Sequence, residues 1–151
     1  MNPRDDEVKM HAIVDTNRGK IAFRLQRKEA PKTVENFVKL ARQGFYDNLA
    51  WHRAIPNFVI QTGCPKGDGT GGPGYTLEAE LNGREHVRGT VAMARGRALH
   101  SAGSQFYIAR GPLPHLDGQY TVFGQVTSGL EVLDKIQQGD KVERVTIIED
   151  V

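Results

Sequence analysis

Apolar and polar residues alternate at the start of the chain: Met10, Ala12 and Val14, then Ile21, Phe23 and Leu25 beyond the turn-forming Asn17-Arg18-Gly19. Period two is the signature of a half-buried strand, so Val8–Thr16 and Lys20–Leu25 are predicted to form a β-hairpin. The period then changes. Val34, Phe37, Val38 and Ala41 fall on one helical face, with Pro31 suited to a first turn and Gly44 to the end of the helix. From Trp51 to Phe123 no helical period persists, and β-branched and aromatic stretches alternate with Gly, Pro and Asn clusters. Strands are expected at 51–55, 58–62, 90–94, 105–109 and 121–126. A second helix is expected from Ser128, with Ser128 and Glu131 as a capping box, Leu130, Leu133 and Ile136 on its inner face and Gly139 as its stop. A last strand spans Val142–Ile148.

Many short antiparallel strands with two isolated helices do not fit the strand-helix alternation of a parallel sheet. A closed barrel or a sandwich accommodates them, and closure removes exposed edges. With 151 residues the chain suits one domain, expected to span 1–151.

Composition narrows the function. Lys plus Arg exceed Asp plus Glu by only two, and the cations are scattered, which argues against a nucleic-acid partner. No run approaches the ~20 apolar residues of a membrane span. Acidic Asp5, Asp6 and Glu7 stand where a secretory leader needs basic residues, so a cytoplasmic location is expected. Cys64 is the only cysteine, which excludes an intrachain disulfide and reads as a small buried residue. The five histidines, His11, His52, His86, His100 and His115, form no metal-binding pair at helical spacing, and no metal is expected. Gly67 to Gly72 matches a dinucleotide-binding pattern formally, yet Pro73-Gly74 follows where a helix would have to receive the phosphates. A tight surface loop is the better reading. Ser104 lacks the Gly-x-Ser-x-Gly elbow of a hydrolase nucleophile.

The segment Trp51-His52-Arg53-Ala54-Ile55-Pro56-Asn57-Phe58-Val59-Ile60-Gln61 carries more. Read as two strands joined at Pro56, its alternation lets an arginine and a glutamine meet beside apolar groups. Taken alone, Arg53 reads as a surface ion-pair residue and Phe58 as a core residue.

The same segment resembles the Phe-His-Arg-Val-Ile-Pro-x-Phe-x-x-Gln signature of the cyclophilins. The resemblance continues in order through Gly69-Thr70-Gly71-Gly72, Met93-Ala94, Ser101-Ala102-Gly103-Ser104-Gln105-Phe106-Tyr107-Ile108, Leu116-Asp117-Gly118 and Val122-Phe123-Gly124, covering about Ile13 to Ile148. Met93-Ala94-Arg95 looks more like prokaryotic members. The resemblance implies a mainly β fold, a closed eight-stranded antiparallel barrel capped by two α-helices, and a peptidyl-prolyl cis-trans isomerase without a cofactor. It makes Arg53 the catalytic arginine and Gln61 its polar partner. It assigns Phe58, Val59, Tyr107 and Leu116 to a proline pocket, Gln105 and Gly69 to the groove, and backbone groups of Ala94 and Arg95 to the peptide. Four positions depart from the commonest pattern: Val59 for Met, Tyr107 for Phe, His115 for the Trp of cyclosporin-sensitive members, and Tyr120 for His. Weak cyclosporin binding is therefore expected, with His115 and Tyr120 at the edge of the site. Proline-containing polypeptides and unfolded proteins are the expected partners of a monomer assisting protein folding. The alternative is a proline-segment binding module or chaperone without isomerase activity.

Overall fold

The computed structural model describes residues 9–150. The hairpin's expected start at Val8, the acidic residues Asp5 to Glu7 and the last residue of the expected domain lie outside the described residues. Among the described residues, nine strands form one antiparallel sheet in the order β3-β9-β1-β2-β8-β6-β7-β5-β4. They are β1 (Lys9–Thr16), β2 (Gly19–Leu25), β3 (Leu49–Ala50), β4 (Arg53–Ala54), β5 (Val59–Thr62), β6 (Thr90–Met93), β7 (Phe106–Ala109), β8 (Val122–Ser128) and β9 (Lys141–Asp150). Helix α1 is Pro31–Arg42, α2 is Leu130–Leu133, and Pro114–Leu116 forms a single 3-10 turn.

The outermost strands, β3 and β4, are separated in sequence only by Trp51 and His52. Two ends of a sheet cannot be two residues apart unless the sheet curls round, so this connection fixes the barrel-like shape. Eight strands were expected and nine are found, because β3 pairs with β9 through Leu49 and Val142 while the segment expected at 51–55 keeps ladder pairing only at Arg53 and Ala54. The Trp51 amide donates to the Asp140 carbonyl instead, at 2.7 Å.

Inside the curl, Phe23, Phe37, Tyr46, Trp51, Phe106 and Phe123 pack as one aromatic cluster, each at most 1% exposed. Phe37 is the contribution of α1, with its ring centroid 5.5 Å from that of Phe106 and 5.4 Å from that of Phe123, edge-on or tilted as aromatic quadrupoles favour. The apolar face of α1 thereby closes one end of the sheet. Its N-terminus has no local side-chain cap. The carboxylate of Glu80 supplies one from a distant loop, accepting from the amides of Lys32 at 3.2 Å and Thr33 at 2.7 Å.

All residues of β6 and β7 are buried, so neither strand shows a solvent face. Phe106 and Ile108 belong to the inner core. Tyr107 and Ala109 join Val59, Ala92, Leu113 and Val122 in a second apolar layer, against which Phe58, Ala94, Leu116 and Tyr120 pack. Period two thus sends alternate residues to two different hydrophobic environments.

The second helix is shorter than expected and is not capped by Ser128. Ser128 is the last residue of β8, paired with Ala22. Gly129 occupies the N-cap at φ 91° without a side-chain bond. A Cβ there would lie 2.3 Å from the Lys20 carbonyl oxygen, so the strand-to-helix corner excludes every side chain. Leu130, expected on the inner face, is 38% exposed, whereas Val132, Leu133 and Ile136 are buried.

Asp140 ties this corner to the first hairpin. Its carboxylate accepts from Arg18 Nε at 2.9 Å, Asn17 Nδ2 at 3.0 Å and the Gln137 amide at 2.7 Å. Burial alone would raise its pKa, but these donors and the Arg18 charge overcome that effect and hold it at about 2. A folded-state pKa below the unfolded value of ~3.9 gives stability that is complete above that value and lost as pH falls through about 2. Asp140→Asn should therefore destabilise the protein by about 1–3 kcal/mol at pH 7. Denaturant unfolding of both proteins should show the difference shrinking as pH falls below ~4. A constant difference down to pH 2 would rule out the ionised carboxylate as its source.

Candidate functional site

Strand β4 turns back into β5 at Pro56-Asn57, where Asn57 takes φ 60°. The Ile55 amide donates to the Val59 carbonyl at 2.9 Å and the Phe58 amide to Ile55 at 3.1 Å. This tight return sets Arg53 opposite Gln61 in the ladder. Arg53 Nη1 donates to Gln61 Oε1 at 3.3 Å, and its guanidinium lies 5.4 Å from the centre of the Phe58 ring. The side chains meet as the alternation of the two strands predicts.

A line of hydrogen bonds runs on from this pair. Gln61 Nε2 donates to Gln105 Oε1 at 3.1 Å, and Gln105 Nε2 donates to the carbonyls of Gly69 and Gly71, both at 2.9 Å. Two carbonyl acceptors oblige Gln105 to present its NH2 to the glycine loop. Its oxygen then faces Gln61, which leaves the Gln61 oxygen facing the guanidinium. The loop therefore orients Arg53 through two amides, and every link follows from donor and acceptor counting.

Beside Arg53 and Gln61 lies a cavity of about 190 Å³, lined also by Phe58, Val59, Ala94, Arg95, Tyr107, Leu116 and Tyr120. Its apolar wall is the second hydrophobic layer. A neighbouring depression of about 390 Å³ shares Gln61, Ala94 and Arg95, and is bordered by Gly69 and Gln105. Nine of the twelve sequence-predicted site residues thus line the smaller cavity, and Gly69 and Gln105 line its neighbour. His115 lines neither; it stacks on Phe58 with the rings 6.2 Å apart and 20° from parallel.

The backbone at Ala94 is more committed than expected. Its amide donates to the Gln105 carbonyl at 3.0 Å, so only the Ala94 carbonyl remains to be offered to a peptide. Arg95 uses its side chain locally, donating to the Gln119 carbonyl at 2.9 and 3.2 Å and covering the Tyr120 ring at 4.8 Å. It acts as a strap between the two cavities. Two residues that the sequence did not assign to the site support it from behind. His86 and Asp117 bond to one another behind Tyr107. Asp117 lies in the Leu-Asp-Gly motif, but nothing in its spacing connects it with His86, 31 residues away.

This geometry coincides with a family match. Residues 11–151 match the model of the cyclophilin type peptidyl-prolyl cis-trans isomerase/CLD family. The chain belongs to the cyclophilins. A peptidyl-prolyl cis-trans isomerase of Helicobacter pylori is 52% identical over 139 residues, covering 89% of this chain and 85% of that protein. One from Synechococcus elongatus is 47% identical over 141 residues, covering 92% and 97%. The crystal structure of a Cryptosporidium parvum cyclophilin in the presence of the dipeptide Ala-Pro superposes with a TM-score of 0.88 at 29% identity, covering 93% of this chain and 99% of that one. This cyclophilin is an enzyme, a peptidyl-prolyl cis-trans isomerase, which decides between the two readings its sequence left open. Its relatives support the mainly β fold and the resemblance to prokaryotic members alike.

One consequence of the cyclophilin site geometry concerns His52, beside Arg53. Burial is the main cause that lowers its pKa, and the Arg53 charge adds to it, against the opposing effects of Gln105 and Asp68. An NMR titration should place the His52 midpoint below the ordinary histidine value. Arg53→Gln removes one of the two lowering causes and should move the midpoint upward. An unchanged midpoint would separate His52 electrostatically from Arg53.

Proposed function

We propose that Arg53 is the catalytic donor of this isomerase and that the 190 Å³ cavity is its proline pocket. The observation that carries the proposal is the directed line from the Gly69 and Gly71 carbonyls through Gln105 and Gln61 to Arg53, ending beside an apolar cavity. Rotation about a peptide C–N bond meets a barrier of ~18–20 kcal/mol because resonance must be broken, and uncatalysed Xaa-Pro bonds take tens to hundreds of seconds. At the twisted transition state the proline nitrogen regains a localised lone pair. A donor aimed at that nitrogen binds the twisted state better than either planar state, which is the condition for catalysis. The guanidinium supplies such a donor in a rigid fork that keeps its charge while one edge is braced by Gln61.

Phe58, Val59, Tyr107 and Leu116 grip the ring in this reading. The Ala94 carbonyl, Gln105, Arg95 and Gly69 hold the preceding residues along the larger depression, with Tyr120 and His115 at the rim. One end of the bond is fixed and the other turns. No proton transfer, covalent intermediate or cofactor is required.

The substrates are proline-containing segments of unfolded or partly folded chains, and the cellular use is assistance to folding. The Ala-Pro dipeptide of the Cryptosporidium structure supports a proline-containing ligand. Residues 1–151 act as one monomeric domain in the cytoplasm. Among the described residues no helix is long and apolar enough to cross a membrane. A net charge of +2 gives no support to a nucleic-acid partner.

In a protease-coupled or NMR exchange assay on a short Ala-Pro peptide, Arg53→Ala should lower kcat/KM by roughly 10² to 10³, the usual cost of one transition-state donor. The exposed position of Arg53 predicts little change in stability. Arg53→Lys should also be poor, because an ammonium loses the planar geometry. Near-complete rescue by Lys would reduce the role of Arg53 to simple charge.

His115 offers an imidazole where cyclosporin-sensitive relatives offer an indole, with less apolar area and no Trp N–H donor. Weak inhibition by cyclosporin is expected, strengthened by His115→Trp. Nanomolar inhibition of the wild type in the same assay would contradict this.

A further inference from the structure

Tyr107 brings a hydroxyl into a wall that is otherwise apolar. Only 5% of the residue is exposed, so that hydroxyl needs a partner within the protein. The partner is His86, whose side chain is 0% exposed. Its Nε2 lies 2.7 Å from the Tyr107 oxygen, and the two rings are 17° from parallel with centroids 5.9 Å apart. On the opposite side, Nδ1 lies 3.1 Å from Asp117 Oδ1, which also accepts from the His86 backbone amide at 2.7 Å.

Proton counting gives the line a direction. The His86 backbone amide is the main cause holding the Asp117 carboxyl below its usual range, so the carboxylate only accepts, and Nδ1 must carry the imidazole proton. Nε2 is then an acceptor. Burial pushes the Tyr107 phenol well above its usual range and it remains a donor. Burial also disfavours the charged form of His86 more than Asp117 favours it. Every polar atom in the line has one consistent role.

We propose that His86 is a positioning residue for the proline pocket, fixing the Tyr107 ring through its hydroxyl while Asp117 selects the tautomer that accepts from it. The inference rests on the assignment of Tyr107 to that pocket. His86 lies behind the wall and not among the residues lining the cavity; its Nε2 meets the lining at Tyr107, and its other contacts reach Asp117 and Leu113 beside Leu116. A ring that packs against proline in planar and twisted states alike contributes uniform binding, which appears in KM and not in kcat.

Three measurements test this. Long-range ¹H–¹⁵N correlation spectra of the wild-type protein at neutral pH should show the proton of His86 on Nδ1; the Nε2–H tautomer would overturn the proposal without any variant having to fold. In the peptide assay, His86→Leu should raise KM about tenfold with kcat within twofold, because a Tyr107 hydroxyl that has lost its buried acceptor turns the ring out of the orientation that meets proline. Introduced into Tyr107→Phe, where no hydroxyl is left to satisfy, the same His86→Leu change should raise KM less than threefold. Equal factors in the two backgrounds would assign His86 to general packing and overturn the proposal. Tyr107→Ala tests the underlying assignment separately. If it leaves KM unchanged, the pocket reading fails; if it raises KM while His86→Leu does not, only the positioning role fails.

Discussion

Phe106 is the residue on which the architecture turns. Its ring meets those of Phe23, Phe37, Tyr46, Trp51 and Phe123 and so commits one face of β7 to the interior. Alternation along a strand then leaves Tyr107 no choice but the opposite face. The ladder register sets Gln61 and Ala92 beside Tyr107 on either side. The inner core and the outer cavity are therefore two sides of the same few residues, and a register slip of one position would exchange them.

The dependence runs further along the same strands. Gln105, immediately before β7, reaches the glycine loop and Gln61, while Gln61 sits opposite Arg53. The cation in the site is held by a line of amides whose far end is anchored on backbone carbonyls. Such an arrangement suits a group that must point without moving. The scaffold beneath is buried and apolar, and the two carboxamides that reach from it are each bonded at both ends.

Legibility in the sequence follows the range of the interaction. The first hairpin, helix α1 and the return at Pro56 are local, and their signals were present in alternation, in helical spacing and in turn residues. Arg53 and Gln61 were readable as neighbours because a short return joins their strands. The grip on Gln105 and the contact between His86 and Tyr107 were not readable, since they join residues 44 and 21 positions apart through strand pairings that are not local in the sequence. Glu80 as the cap of α1 is hidden for the same reason. The capping box at Ser128 failed in the opposite way. Its local pattern was sound, but Ser128 was needed for the β8 ladder and Gly129 was forced by the carbonyl of Lys20. Tertiary demands overrode a favourable local motif.

The position of β9 in the sheet has a consequence in time. Strand β9 lies between β3 and β1, so a strand made long after both of them bridges the two. A chain emerging from the ribosome carries β1 with one partner, β2, and with its other edge unsatisfied until β9 is out. At ~5–20 residues per second that interval lasts on the order of ten seconds. During it an open strand edge is available to other nascent chains. A peptidyl-prolyl cis-trans isomerase thus passes much of its own synthesis with an unpaired strand edge.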